Sequence, residues 1–481
     1  MNRARHRQEP IKADDPNDII YGVIDACADC DTCRFLMDQS CLLFPELYRL
    51  HDREKIDGLK PRESDLAQLE QLCTLCGLCP CPDIRGEIIR AKTARVRKYG
   101  MPFSVRLLAD VQEFSRKGGR FAAILNHIMR FGPLARMIKR VASIDPRREL
   151  PRLSRESFFD WAEKNGLGEK HDRLPKVAYF AGCTAGYLFP EVAKSATAVL
   201  QYNRVTVFVP PQQCCGMPTL VEGDDRTTIE RTRFNIDVLQ NLLHQGYDLV
   251  CSCPTCGFYM KVLLQERAVF ADAYQKHLNA GIDEIRIPGT GAPAFKSLKK
   301  SIYAKILKDD GYFSEIDPLL RLTVANHMMD LGEYLQHLHT NNRLSKQFGP
   351  IPGKMAYFAP CHQREQKIKS PYETLMAMIP GLHIEPVGGE MDCCGMGGSL
   401  GFKKSFHDAA TSLGKPLMAK IKAASPEAII TDCLSCRLQF HHMLPQYPVY
   451  HPLEILCRSY ETHHTLAQVE DNVRPIGISY S

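Results

Sequence analysis

The doublet Cys393-Cys394-Gly395 is the chemical centre of the sequence. Cys361 lies 32 positions before Cys393, and Cys433-Leu-Ser-Cys436 follows. The whole arrangement stands a second time upstream, as Cys183, Cys214-Cys215-Gly216 and Cys253-Pro-Thr-Cys256. Corresponding cysteines lie 178, 179 and 180 positions apart. The flanks agree too: Lys176-Val-Ala-Tyr-Phe-Ala-Gly-Cys183 matches Lys354-Met-Ala-Tyr-Phe-Ala-Pro-Cys361. Thiolates are soft metal ligands and redox nucleophiles. A duplicated five-thiol set therefore points to metal or redox chemistry, performed twice in one chain.

Eight more cysteines precede the repeats. Cys27-Ala-Asp-Cys30-Asp-Thr-Cys33 is followed by Cys41, and Cys73-Thr-Leu-Cys76-Gly-Leu-Cys79 by Pro and Cys81. A C-x-x-C-x-x-C triplet wraps three thiolates around one face of an iron–sulfur cubane, and a distant fourth thiolate closes it. In two-cluster ferredoxins the fourth cysteine of each run serves the other cluster. That rule pairs Cys27, Cys30 and Cys33 with Cys81, and Cys73, Cys76 and Cys79 with Cys41. The gaps to the fourth cysteines depart from the usual run: seven residues in the first, one in the second. Proline on either side of Cys81 restricts the backbone enough to turn it away from Cys79. The competing reading is zinc, whose ribbons pair two C-x-x-C arms.

The chain has 481 residues and 20 cysteines, and is 44% hydrophobic and 24% charged. That is ordinary soluble composition, with length for two or three domains. No apolar run reaches the roughly 18 residues of a membrane span. The basic N-terminus has no apolar stretch behind it, so no signal peptide is expected. The expected location is the cytoplasm, where thiols stay reduced and a disulfide framework is disfavoured.

The elements that must position these thiols follow from hydrophobic patterning. Val177–Phe180 reads as a buried strand delivering Cys183, Glu191–Gln201 as a helix and Val205–Val209 as a strand before the doublet. Thr228–His244 reads as a long helix, and Tyr247–Val250 as a strand ending at Cys251–Cys256. The second repeat follows suit: strand Met355–Phe358, helices Tyr372–Met378 and Phe406–Ala423, strand Ala428–Thr431 and closing element Val449–Ile455. Alternating strands and helices predict α/β units with parallel sheets, whose carboxyl edges bind ligands. The expected fold is thus α/β, an N-terminal α-helical two-cluster domain followed by two repeated α/β cysteine-rich domains. Expected boundaries are a flexible lead over 1–22, the two-cluster domain over 23–100 and a basic helical linker over 101–150. The first repeat spans 174–265, a mostly helical connector 266–350, the second repeat 351–460, and a loose tail 461–481. Glu54–Leu78 is expected to be helical, with Leu66, Leu69 and Leu72 on its apolar face. His327, His337 and His339 lie in the connector, with no ligand spacing to any cysteine. Cys251 and Cys457, outside every set, are expected to be buried apolar thiols.

Residues 85–148 hold sixteen basic and four acidic side chains. Phe121, Ile124, Leu125, Ile128 and Met129 recur at helical spacing, and Leu134, Met137, Ile138 and Val141 resume it after Pro133. Such helices suit an anionic membrane surface. The alternative is a core-facing helix with a solvated basic side. Nucleic acid is disfavoured by few stacking aromatics and no reading motif.

The spacing C–(about 31)–CCG–(36 to 39)–C-x-x-C resembles the cysteine-rich repeat of heterodisulfide reductase B and D subunits. The layout of a two-cluster domain before two such repeats is similar to the heterodisulfide reductase D subunit and to the C subunit of anaerobic glycerol-3-phosphate dehydrogenase. Ile144-Asp145-Pro-Arg-Arg-Glu-Leu-Pro151, Cys394-Gly-Met-Gly-Gly-Ser-Leu-Gly-Phe-Lys-Lys404 and His451-Pro-Leu bring the wording nearer the latter. The resemblance runs from Cys27 to about Leu456. It implies [4Fe–4S] clusters: two in the N-terminal domain and up to two in the repeats. The repeat sets would be Cys183, Cys214, Cys215, Cys253 and Cys256, then Cys361, Cys393, Cys394, Cys433 and Cys436. A noncubane cluster with bridging thiolates and a cubane with one spare thiol are both open. Gly182, Gly216, Gly257, Gly395, Gly397 and Gly398 would let backbone approach the clusters.

The implied function is electron transfer under anaerobic conditions between a partner flavoprotein dehydrogenase and a quinone or membrane cytochrome, with no catalytic residue in this chain. The alternative is a disulfide reductase acting at a five-cysteine cluster, with His362 and Arg364 near an anionic substrate. A zinc-binding interaction module is a third reading.

Overall fold

Each five-cysteine repeat folds around a four-stranded parallel sheet. In the first, β1 (Lys176–Phe180), β2 (Thr206–Phe208), β3 (Asp248–Cys251) and a late strand, β6 (Met328–Asp330), lie in the order β2-β1-β3-β6. The second contains β7 (Gly353–Phe358), β8 (Leu382–Pro386), β9 (Ala428–Thr431) and β10 (Val449–Tyr450), in the order β8-β7-β9-β10. The sequence duplication is therefore a duplication of topology. A separate antiparallel hairpin, β4 (Glu284–Pro288) with β5 (Phe295–Lys299), stands between them. The computed structural model describes residues 15–119, 121–129, 132–289, 292–303 and 307–471.

Strand alternation divides the work of each sheet. Val177 and Tyr179 of β1 point into a core shared with Met355 and Tyr357 of β7. Ala178 and Phe180 point the other way, among the first repeat's cysteines. Ala356 and Phe358 do the same beside Cys394, Cys433 and Cys436. Val177–Phe180 of β1 and Met355–Phe358 of β7 are buried on both faces, which is why these central stretches read as unbroken apolar runs.

The N-terminal unit is helical, over Pro16–Cys30, Cys33–Leu36, Leu43–Asp57, Glu63–Leu72 and Pro82–Tyr99. Asp15 caps the first helix, its carboxylate accepting the Asn17 N–H at 2.8 Å, and Pro16 fits the first turn. Ile19, Ile20, Leu47, Leu50 and Leu69 form its core. The unit is fastened to the first repeat by Lys92, whose buried ammonium donates to the carbonyls of Cys73 and Val221 at 2.7 and 2.8 Å. Without such partners a buried ammonium would be strongly destabilising.

Several expectations are corrected. The lead is helical from Pro16, because Ile19 and Ile20 belong to the core; residues 1–14 lie outside the described residues. Glu54–Leu78 is not one helix: Gly58 and Pro61 separate Leu43–Asp57 from Glu63–Leu72, and the cysteine loop begins at Cys73. The connector holds the hairpin and β6, so the first sheet draws a strand from beyond residue 265. β8 was not legible in its polar, half-exposed sequence. The closing helix runs Pro452–Asp471, past the point where a loose tail was expected. In the linker, helices Phe103–Ala109, Val111–Gly119, Ala122–Ile128 and Gly132–Val141 bury Ala109, Ala122 and Ala135 and turn Phe121, Ile124, Met137 and Val141 outward, 56–72% exposed. The core-facing alternative does not describe these side chains. Among the described residues no helix is long and apolar enough to cross a membrane.

Asp330 ends β6 and caps the helix Leu331–Thr340, its Oδ1 accepting the Gly332 N–H at 2.7 Å. It is fully buried, and burial, then the charge of Glu333, raises its carboxyl to about 7. A folded pKa above the unfolded value means stability is lost as pH rises through the folded pKa, at about 1.4 kcal/mol for each tenfold difference in proton affinity between the two states. The variant D330N keeps the cap without the charge. Its urea midpoint is expected to gain on the wild type as pH rises from about 5.5 to about 7, and to gain no further above about pH 8. Parallel curves over that range would refute the assignment.

Candidate iron–sulfur sites

Cysteine after cysteine stands just beyond the carboxyl end of a parallel strand. Cys183 follows β1, the Cys214-Cys215 doublet follows β2, and Cys253 follows β3, with Cys256 on the short helix Pro254–Phe258. Because β1 lies between β2 and β3, the three loops meet at one edge. Cys214 Sγ and Cys183 Sγ are 3.4 Å apart. All five thiols of this set are buried. In the second repeat Cys361, Cys393-Cys394 and Cys433 follow β7, β8 and β9, and Cys436 Sγ lies 3.0 Å from Cys394 Sγ. Cys361 and Cys393 are half-buried, and Cys394, Cys433 and Cys436 buried.

The two doublets share an electrostatic pattern. Hydrogen bonds from Cys183 and Cys215, aided by the Gly216 N–H and the Arg231 charge, hold Cys214 well below the usual thiol range against burial. Cys393 and Cys436 do the same for Cys394, aided by Arg148. The neighbours Cys183, Cys215, Cys393 and Cys436 are driven the other way, since each would add a second negative charge. Burial pushes Cys361 up to about 12. Each doublet thus favours ionisation at one cysteine over its neighbour, the hydrogen bond from Cys256 lowers Cys253 in the first site as well, and thiols that bind a cation must lose their protons.

Backbone geometry fits a cluster pressed against these loops. Gly182 has φ +70°, and a β-carbon there would stand 2.8 Å from Cys256 Sγ. Gly395, at φ +85°, donates its N–H to Cys393 Sγ at 3.3 Å, and a β-carbon there would strike the Ala410 carbonyl. Among the described residues, no three or more His, Cys, Asp or Glu side chains are arranged to hold a single metal ion. The donor sets are those of soft, thiolate-rich centres.

In the helical unit Cys27 is raised by burial and then by Cys33, Cys81, Cys30 and Cys79. Cys33 is pushed up to about 11 by burial, Cys30 and Cys81. Cys41, also raised to about 11 by burial, faces Cys73, and Cys79 faces Cys73, Cys76 and Cys41. Cys27 thus neighbours both Cys81 and Cys79, and Cys41 neighbours both Cys73 and Cys33. Cys76 also feels Cys361, and Cys393 feels Cys76. One cavity is lined by Cys41, Cys73, Cys76 and Cys79 on one side and by Cys393 and Gly395 on the other.

Other residues stand where they were expected or apart from the sites. Cys251 and Cys457 are buried. His327 Nδ1 meets the Thr323 carbonyl at 2.7 Å, and His337 meets Asn341 on its own helix. His362 is half-buried between the cysteine loops, and loss of solvation there holds it down to about 4. Arg364 binds the carbonyls of Gly389 and Asp392, bracing the loop before Cys393.

Linker residues complete both sites, and sequence reading missed them. Gln112 Oε1 accepts the Cys214 N–H at 2.6 Å, and Asp110 pairs with Arg231 at 2.8 Å. Arg148 is fully buried; its guanidinium donates to Gln439 Oε1 at 2.5 Å, contacts Met396 Sδ and lies over Phe402. The available signal was an arginine in a Pro-rich segment, indistinguishable by spacing from its solvated neighbours. With a cluster at the second site, R148M should shift its midpoint potential negative, because a buried cation favours the reduced, more anionic centre. Potentiometric EPR titration of the two repeat signals checks this: only the second should move.

Two parallel-sheet units that each gather five thiols at one edge, joined to a helical unit with eight more, define a cysteine-rich iron–sulfur protein. The profile of the CCG cysteine-rich domain matches residues 177–261 and 355–441. The chain is 23% identical over 341 residues to the C subunit of anaerobic glycerol-3-phosphate dehydrogenase of Escherichia coli (strain K12), covering 70% of this chain and 72% of that one. It is 23% identical over 278 residues to the B subunit of the fumarate reductase (CoM/CoB) of Methanothermobacter marburgensis, covering 56% and 42%. An uncharacterized iron–sulfur protein of Methanocaldococcus jannaschii is 25% identical over 302 residues, covering 62% and 46%. The chain carries two CCG domains and is homologous to the C subunit of anaerobic glycerol-3-phosphate dehydrogenase and to related iron–sulfur proteins.

Proposed function

We propose that the chain is the electron-transferring iron–sulfur subunit of a multisubunit dehydrogenase or reductase working under anaerobic conditions. It would take electrons from a flavoprotein partner and deliver them to a quinone or membrane cytochrome. The observation that carries the reading is the continuity of the cysteine sets. Cys33 lies near Cys41, Cys41 near Cys73 and Cys76, and Cys76 near Cys361 and Cys393. The relatives' names, subunits of a dehydrogenase and of a reductase, support the same role.

On this reading Cys27, Cys30, Cys33 and Cys81 hold one [4Fe–4S] cluster, and Cys41, Cys73, Cys76 and Cys79 a second. Cys183, Cys214, Cys215, Cys253 and Cys256 hold a third, and Cys361, Cys393, Cys394, Cys433 and Cys436 a fourth. When bound, such clusters carry one electron at a time. The protein's part is to bury or half-bury all of these thiols but Cys30 and to hold neighbouring sets together. Anaerobically purified protein is expected to contain about 16 iron and about 16 acid-labile sulfide per chain, from four [4Fe–4S] centres. A content of about 8 would leave the repeats empty and defeat the four-site assignment; zinc in place of iron would defeat the redox reading altogether.

The outward apolar residues Phe121, Ile124, Met137 and Val141, within a segment of sixteen basic and four acidic residues, suit the cytoplasmic membrane surface. The holoprotein is expected to sediment with vesicles containing anionic phospholipid, less so at high salt, and F121E/I124E to stay in the supernatant. Equal binding by that double variant would remove the membrane-surface part of the proposal and leave the electron-transfer part standing.

A further inference from the structure

His362 touches the loops of three cysteine sets. Its backbone follows Cys361 directly. Its Nδ1 lies 3.0 Å from the hydroxyl of Thr255, which stands between Cys253 and Cys256. Its Nε2 lies 3.1 Å from the carbonyl of Leu75, which stands between Cys73 and Cys76. The ring stacks on Phe258 with centroids 4.7 Å apart and an interplanar angle of 7°. Gln366 locks the same junction, donating to the carbonyls of Pro254 and His362 at 3.0 and 2.9 Å.

The chemistry of these partners dictates the imidazole's state. A carbonyl oxygen only accepts, so Nε2 carries the proton and donates it to Leu75. Nδ1 then accepts from the Thr255 hydroxyl, and the ring is neutral. Packing alone would not call for this residue. An apolar side chain would fill the space but leave the Leu75 carbonyl unpaired. Nor does the repeat architecture require it, since Thr184 occupies the corresponding place after Cys183.

The position of His362 bears on the order of electron flow. Taken in chain order, the four sets would form a line, with the first repeat before the second. The contacts say otherwise. The Cys73–Cys79 loop shares a cavity with Cys393 of the second repeat. Through Leu75 and Phe258 it also packs into the cysteine-bearing core of the first. We infer that the Cys73–Cys79 loop is a branch point serving both five-cysteine sites, and that His362 is the positioning residue holding all three loops in register. With clusters bound, an electron on a centre held by that loop would have a route into either repeat site. His362 itself is neither oxidised nor protonated in the transfer.

This inference rests on the iron–sulfur reading above, and three variants of the full-length holoprotein test it. H362F keeps a flat ring against Phe258 and loses both hydrogen bonds. H362Q keeps one donor and one acceptor. T255V removes only the hydroxyl that links His362 to the first repeat. The readout is rapid-freeze EPR after mixing with dithionite, with the repeat signals assigned by C215S and C394S. In the wild type the two repeat signals should grow together. In H362F and T255V the first-repeat signal should lag the second by about tenfold, the rate factor that goes with roughly 1.4 kcal/mol. H362Q should restore much of the rate. Parallel growth in H362F with full iron content overturns the inference, as does filling of the wild-type sites in strict chain order. Should H362F lose iron, T255V, close in shape to the native residue, decides alone by the same criterion. Repeat sites without iron in the wild type would instead overturn the iron–sulfur reading itself.

Discussion

Everything in this molecule depends on how a parallel sheet with its first strand in the middle presents its carboxyl edge. Placing β1 between β2 and β3 makes three loops, far apart in sequence, neighbours in space. A cysteine in each loop then meets the others without long excursions of backbone. The central strands β1 and β7 need only be short and apolar where they are buried on both faces. The same order in β8-β7-β9 builds the second site by the same means. The two sheets share one core through Tyr179, Tyr357 and their neighbours, so the distance between the sites is set by packed side chains rather than by a linker.

Burying five thiols in one place is electrostatically costly, and the structure limits the cost by sharing charge. Within each doublet one cysteine is lowered by hydrogen bonds from neighbouring thiols, and those neighbours are raised in turn. Arg231 and Arg148 add positive charge from outside the loops. Both are tied to the linker. Arg231 pairs with Asp110, and Arg148 belongs to the linker itself. The segment that turns apolar side chains outward therefore also closes the two sites, which couples the surface to the thiol-lined interior within a few residues.

The helical N-terminal unit docks where both repeats can be reached. Lys92 fastens it to Val221 of the first repeat, and Cys76 and Thr74 face Cys393 and Gly397 of the second. This placement turns four sites into a connected set. It also explains why a pair of unremarkable residues, Leu75 and His362, carry contacts that neither unit would need on its own.

Read alone, the chain already carried the cysteine sets, the repeat and its α/β plan. The spacing of thiols is a local, covalent property, and apolar runs bounded by them leave little choice of element. Contacts between segments distant along the chain were settled only in three dimensions. β6 joins the first sheet from a stretch whose own pattern is helical, because a vacant edge beside β3 rewards any three extended residues placed there. Arg148 and Gln112 look like surface residues of a basic linker until the fold carries them inward, and no spacing rule marks a long-range partner. His362 was visible only as a neighbour of Cys361. Its meaning arises where three separately legible loops converge, since a side chain's partners there are chosen by packing and not by its place in the sequence.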